Sequence, residues 1–239
     1  MISTKSCDNK WYPSFLDNWD DRLFRSIILE RLQPGTVMLD IGAGAGIVNE
    51  MNFKTYCKEV VGVDLDPRVT SNPFLHRGII ADAVDMPLPA CYFDLVVADN
   101  VMEHIDDPEG TLKEIMRVLK PGGILIFKTP NFFHYMPLIA YLTPHSFHTW
   151  INKLRGRETI DTFPTRYKLN SKSAVKRHAE SLGFSVKSIS LIEGRPEYLR
   201  FSCFTYYLGM LYERLVNSSK VFESFRILLI AELEKPQNP

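Results

Sequence analysis

The stretch VMLDIGAGAG, residues 37–46, sets three glycines, Gly42, Gly44 and Gly46, on alternate positions directly after an apolar run. A strand ending in glycines lets the backbone come close to a ligand, because no Cβ intervenes. A helix expected after the loop would offer unpaired N–H groups and the positive end of its dipole to an anion. In open α/β sheets ligands bind beyond the carboxyl ends of the strands, where such a loop would stand, and it suits many nucleotides.

The rest of the chain repeats the theme. Asp21–Leu32 reads as an amphipathic helix that ends at Gln33-Pro34-Gly35, after a polar and aromatic arm over residues 1–18. Strand-like runs occupy Val37–Asp40, Glu59–Asp66, Gly78–Asp82, Phe93–Asp99 and Ile124–Pro130. A helix between Asp107 and Gly123 is bracketed by Pro108 and by Pro121-Gly122-Gly123. After a pause over 131–170, Ser171–Phe184 reads as a helix, SVKSISLI as a strand, the run from Pro196 to Val216 as a helix and FRILLIAELEK as a last strand. The alternation predicts one α/β domain over 1–239, a mostly parallel sheet with helices on both faces. Residues 1–33 form its N-terminal arm and helix, and 131–170 a substrate lid or insertion.

Spacing narrows the ligand. A dinucleotide fingerprint, G-x-G-x-x-G, needs its third glycine at position 47, where the chain has Ile47. A phosphate-binding P-loop needs Gly-Lys-Ser/Thr, which is absent. Asp40 stands two residues before the first glycine, and a carboxylate repels a pyrophosphate while attracting a cation. S-adenosylmethionine carries an ammonium and a sulfonium and no phosphate. Asp64, at the end of the second strand, has two oxygens for a ribose diol. Asp82, at the end of the third, suits an adenine amino group, and Leu65 and Ala83 suit the two ring faces.

Together, VMLDIGAGAG, VVGVDLDP, IIADAVDMPLP, FDLVVADNVMEHI and EIMRVLKPGGILIFKTPN resemble the successive motifs of the class I S-adenosylmethionine-dependent methyltransferases. The likeness is strong over about residues 20–131 and points to the small-molecule branch of ubiquinone and menaquinone biosynthesis. It implies a Rossmann-like, seven-stranded sheet with an antiparallel last strand. It also implies S-adenosyl-L-methionine as cofactor and S-adenosyl-L-homocysteine as product, held by Asp40, Gly42, Ala43, Gly44, Asp64, Leu65, Asp82, Ala83, Asn100 and Val101. The expected activity is O-methylation of a small-molecule, glycan or lipid-linked acceptor. A non-catalytic S-adenosylmethionine-binding subunit and a nucleotide-dependent oxidoreductase are the alternatives, the latter opposed by Ile47 and Asp40.

The family has no universal catalytic residue, since the sulfonium activates the methyl carbon and a base is needed only for a protonated acceptor. Histidine is the natural search set for that base, giving His104, His134 and His145. Tyr135, His148, Arg166 and Tyr167 are the expected acceptor contacts. His145 and His148 lack a third ligand, so no metal site is expected. The helix over Tyr198–Val216 is apolar except for a stripe of Ser202, Thr205, Gly209 and Glu213. It is expected to be buried nearly all round, or to meet a second copy or a lipid-like surface.

Lys+Arg and Asp+Glu number 28 each, which disfavours a nucleic-acid partner. Cys7, Cys57, Cys91 and Cys203 lie far apart with no C-x-x-C pair, as expected of reduced thiols in the cytoplasm. Neither a secretory signal nor an apolar run of roughly 18 residues occurs, so peripheral membrane contact is the most that is expected of a monomer or homodimer.

Overall fold

The fold is seen in a computed structural model of the chain, which describes residues 4–142 and 164–237. Seven strands form one sheet: β1 (Val37–Ile41), β2 (Glu59–Asp64), β3 (Arg77–Ile80), β4 (Phe93–Asp99), β5 (Leu119–Pro130), β6 (Ser185–Ile192) and β7 (Leu228–Glu234). Their order is β3-β2-β1-β4-β5-β7-β6. The pairs among β1 to β5 are parallel, and β7 runs antiparallel to both β5 and β6. The seven-stranded sheet with its antiparallel last strand is therefore as expected. Chain order reverses direction at β1, between β2 and β4, and that switch point opens the crevice in which such sheets bind ligands.

Alternate residues of the central strands feed two cores. Leu39, Val61, Val96, Leu125 and Phe127 face α3 (Pro108–Val118) and α5 (Lys172–Ser181). Met38, Val60, Leu95, Val97 and Ile126 face α2 (Trp19–Arg31), which inserts Phe24 and Ile28. Asp107 caps α3 by accepting from the Gly110 amide (3.0 Å), with Pro108 as its first residue. Ser171 caps α5 in the same way through the Ala174 amide (3.2 Å).

Several boundaries differ from expectation. The arm holds a helix, α1 (Thr4–Trp11), which buries Cys7 and Asp8. No α-helix follows the glycine loop. Residues 47–58 contain Asn49, Asn52, Thr55 and Tyr56, poor helix formers, and make only a 3₁₀ turn at Asn49–Met51. The helix before β5 stops at Val118, and the Pro121–Gly123 turn lies inside β5 at an irregularity of register. The late helix, α6 (Cys203–Asn217), begins only after Ser202, whose capping box with Thr205 fixes the start; Glu197–Leu199 is a separate 3₁₀ turn. A further helix, α4 (Tyr135–Leu142), follows β5.

The orientation of α6 reverses the expectation of general burial. The Gly209 and Glu213 part of its polar stripe turns inward, while Ser202 at its start stays exposed. A Cβ on Gly209 would lie 2.5 Å from Cβ of Pro196, so only glycine allows that approach. Buried Glu213 accepts from Tyr12 Oη of the arm (2.7 Å) and from Asn217 Nδ2 (2.7 Å). The apolar face of Phe204, Leu208, Leu211 and Leu215 is left exposed. Among the described residues no helix is long and apolar enough to cross a membrane.

One polar group ties the layers together. Lys128, near the carboxyl end of β5, is fully buried. Its Nζ pairs with Asp99 at the end of β4 (3.0 Å), with Asp20 on the first turn of α2 (3.3 Å) and with Asp21 beside it. The ammonium also lies 5.5 Å from the centre of the Phe24 ring. Replacing Lys128 with Ala strands buried carboxylates without a cation. Urea unfolding should then show a loss of about 3–5 kcal/mol, the range for a broken buried ion pair.

Candidate active site

A cavity of about 800 Å³ opens at the carboxyl end of the sheet, at the switch point. Asp40 and the loop Gly42–Val48 form one wall, and Asp99, Asn100 and Glu103 another. The start of α2 (Asn18–Asp21) and the 195–200 link before α6 complete it.

The glycine loop is shaped by local contacts. Gly42 has φ +73°, and a Cβ there would come within 2.2 Å of Val101 Cγ2, so the position admits only glycine. Its amide donates to the Val63 carbonyl (2.7 Å). The Gly44 amide donates to Asp64 Oδ2 (2.8 Å), while Asp64 Oδ1 accepts from the Asp66 amide (2.8 Å). Buried Asn72 completes the hold by donating to the carbonyls of Ala43 (2.9 Å) and Gly44 (3.2 Å). With no helix behind the loop, Asn72 and Asp64 supply the rigidity a helix would have given.

The cavity is acidic. Asp40 sits in the sheet with 5% of its surface exposed, on the same face as Met38. Burial, with Asp99 and Asp64 nearby, holds its carboxyl well above the usual carboxylate range. Burial pushes Asp99 up to about 6 against the opposing pull of Lys128. Burial also raises Glu103, whose Oε2 accepts from Thr129 Oγ1 (2.7 Å), and Thr129 Oγ1 in turn accepts from Asn170 Nδ2 (2.7 Å). Asp40 has no cation among the causes of its rise, and Asp99 and Glu103 stay raised by burial despite the pull of Lys128. A cationic ligand would supply positive charge, and an anionic one would add repulsion.

Of the residues expected to hold the cofactor, Asp40, Gly42, Ala43, Gly44 and Asn100 line this cavity. Asn100 adopts φ +53° and its amide donates to the Lys128 carbonyl (2.9 Å), a turn that points the chain after β4 over the opening. Val101 packs on Gly42. Asp64, Leu65 and Asp82 stand at the ends of β2 and β3, with Leu65 60% exposed and the Asp82 carboxylate accepting from the Val84 amide (3.1 Å). Ala83 belongs to the core cluster instead.

Neither His104 nor His134 lines the cavity. Half-buried His104 points Nδ1 at the Pro164 carbonyl (3.2 Å). His134 is buried among the rings of Tyr135, Tyr198 and Tyr212, and its Nδ1 accepts from the Met136 amide (3.2 Å). Burial holds it down at about 3, so it is neutral with its proton on Nε2, 3.7 Å from Glu193 Oε2. Burial likewise pushes Glu193 up to about 8. His145 and His148 fall outside the described residues. Arg166 pairs with Asp106 (2.7 Å) on an exposed surface, and the Arg166 and Tyr167 amides donate to the Glu103 carbonyl (2.6 and 3.1 Å). These two residues therefore brace Glu103 from outside the cavity. Tyr135 stacks edge-on against Tyr212 (4.8 Å).

Among the lining groups without a counterpart in the expectations are Asp99, Glu103, Asn72, Arg195 and Arg200. Buried Arg195 pairs with Asp8 (3.4 Å), Asp17 (3.1 Å) and Glu197 (2.7 Å). Arg200 pairs with Asp8 (2.5 Å) and Glu197 (3.3 Å), and its Nε is buried with no partner.

Fold and site together define a class I S-adenosylmethionine-binding architecture, and comparison with known proteins agrees. The methyltransferase-domain family matches residues 39–127. A ubiquinone biosynthesis O-methyltransferase from Pseudomonas fluorescens is 30% identical over 165 residues, covering 65% of this chain and 67% of that protein. A 2-methyl-6-phytyl-1,4-hydroquinone methyltransferase from Synechocystis is 32% identical over 105 residues, covering 41% of this chain and 33% of that one. A Haloferax volcanii chain solved with the Trm112 methyltransferase activator superposes with a TM-score of 0.61 at 18% identity, covering 91% of each. The chain belongs to the class I S-adenosylmethionine-dependent methyltransferases, in the branch that includes quinone-biosynthesis enzymes. Its matches span 39% and 45% of two further curated relatives, so the chain covers less than half the length of most of these relatives.

Two measurements test the site. Asp64→Ala removes both the expected acceptor of the ribose hydroxyls and the anchor of the Gly44 amide. Calorimetry should show S-adenosylhomocysteine binding weakened by about 1.5–3 kcal/mol per lost charge-assisted hydrogen bond. Binding of a cation lowers the raised carboxyls and releases protons. Affinity for S-adenosylmethionine should therefore fall as pH drops below about 6, the Asp99 value, by up to about tenfold per pH unit for each proton. The heat of binding should change with the ionisation enthalpy of the buffer.

Proposed function

We propose that the chain methylates an oxygen of a small-molecule or lipid-linked acceptor, using S-adenosylmethionine as donor. The observation that carries the reading is the acid-lined cavity at the switch point, floored by a glycine loop and walled by Asp40, Asp99 and Glu103. When bound, the cofactor supplies a methyl carbon already activated by its sulfonium. Asp40 and Asp99 neutralise its cationic groups, Asp64 receives the ribose hydroxyls, and Asp82 and Leu65 meet the adenine. Arg195 and Arg200 are the positive groups among the described lining residues, so they are the partners offered to its carboxylate.

Glu103 accepts the proton of the acceptor hydroxyl. It is buried at the cavity wall, raised toward proton-holding by burial, and fixed by Thr129 from within and by the Arg166 and Tyr167 amides from behind. His104, its neighbour, braces the 164–167 segment. His145 and His148 are proposed to serve the acceptor from the segment after α4. The exposed apolar face of α6 supports an acceptor with a hydrocarbon portion, or peripheral contact with a lipid surface, by a cytoplasmic monomer or homodimer.

Labelled-methyl transfer into a metabolite extract tests the activity. Binding of S-adenosylhomocysteine without transfer to any acceptor would favour a non-catalytic binding subunit. With an acceptor in hand, Glu103→Gln should lower kcat by about 10²–10⁴ while cofactor affinity is kept. An unchanged kcat would remove Glu103 from the reaction.

A further inference from the structure

Cys7 and Cys203 are 196 positions apart, yet the fold brings them together. Cys7 lies on the buried face of α1, and Cys203 is the first residue of α6, half-buried. Cys7 packs in one buried cluster with Tyr206, which lies one turn along α6 from Cys203, so the fold sets the two cysteines at the same α1–α6 contact. Cys57 and Cys91 stand elsewhere, the latter exposed beside Lys235.

The elements that these thiols would join already meet through polar contacts. Asp8, next to Cys7, accepts from Tyr206 Oη of α6 (2.9 Å) and bridges Arg195 and Arg200. Both arginines line the cavity. Tyr12, at the end of α1, reaches Glu213 on the same face of α6. The arm is thus held at the cavity rim by charge, hydrogen bonds and the small cluster of Cys7, Tyr12 and Tyr206, with no covalent link to α6.

We propose that Cys7 and Cys203 form a reversible disulfide that staples α1 to α6 at the rim of the cavity. The oxidant is a small-molecule disulfide. Cys203, the accessible partner, attacks it as thiolate; one sulfur–sulfur bond breaks, a mixed disulfide forms at Cys203 and one thiol of the reagent leaves. Cys7 then loses its proton and attacks Cys203 Sγ, and the second thiol leaves. Two protein thiols are oxidised and one disulfide is reduced to two thiols. Burial, Cys203 and Asp8 push the Cys7 thiol up, which makes its attack the slower step. A dithiol reductant reverses both steps. Closing a loop of nearly the whole chain constrains the unfolded state strongly, provided that the bond forms without strain.

The test uses the full chain incubated with oxidised glutathione, then alkylated and peptide-mapped. The expected product is smaller by two hydrogens, has Cys7 joined to Cys203, and keeps Cys57 and Cys91 alkylatable. Its melting midpoint should rise by at least about 5 °C and fall back with dithiothreitol. Limited proteolysis at the arm should slow on oxidation. Cys203→Ser should abolish both effects, and Cys7→Ser should stop at a glutathione adduct on Cys203. A stable adduct on Cys203 in the native chain, a bond to Cys57 or Cys91, or no reaction of either thiol would each overturn the proposal. So would a Cys7–Cys203 bond that leaves the melting midpoint and arm proteolysis unchanged.

Discussion

The site depends on the burial of Lys128. A cation without access to water is tolerable only where carboxylates surround it, and its three partners come from β4 and from the first turn of α2. Satisfying one ammonium therefore fixes where α2 starts and where β4 ends. Both places line the cavity, side by side. The acidic character of the site follows from the same arrangement. Carboxylates drawn in to pair with Lys128 are held in low dielectric, and Asp40, out of reach of the lysine, lacks even that cation.

Such a site is complementary to positive charge before any ligand arrives. The glycine loop contributes shape and the acids contribute charge, and neither would select the ligand alone. The carboxylate end of an amino-acid ligand is a separate problem. The expected helix dipole behind the loop is missing, and Arg195 and Arg200 stand on the far side of the cavity. Those arginines are positioned by Asp8 of the arm, so a segment with no period in its sequence has a part in the geometry of the site.

Much of the frame was legible. The apolar runs of β1, β4 and β7, the caps at Asp107 and Ser171 and the loop of alternating glycines are local signals, set by nearest neighbours and by what each strand must bury. The acids at strand ends were legible for the same reason, because a strand end is a local event. Three things were not. The segment after Gly46 reads as a crossover and crossovers are usually helical, but its residues cannot sustain one. The apolar composition of α6 suggested burial nearly all round, yet only the side of Tyr206, Gly209, Glu213 and Val216 is buried, and the opposite apolar face is exposed. Histidines drew attention for their chemistry, whereas Glu103, beside His104 in the same motif, is the group that reaches the cavity.

What the sequence determined by itself is the strands, the loop and the row of acids, since each rests on signals within a few residues. The tertiary structure decided which charges meet. Lys128 with Asp20, Asp21 and Asp99, Arg195 with Asp8, and Cys7 with Cys203 are all brought together across long stretches of chain. No local pattern encodes such pairs, because their cost or gain depends on burial, and burial is a property of the whole packed sheet.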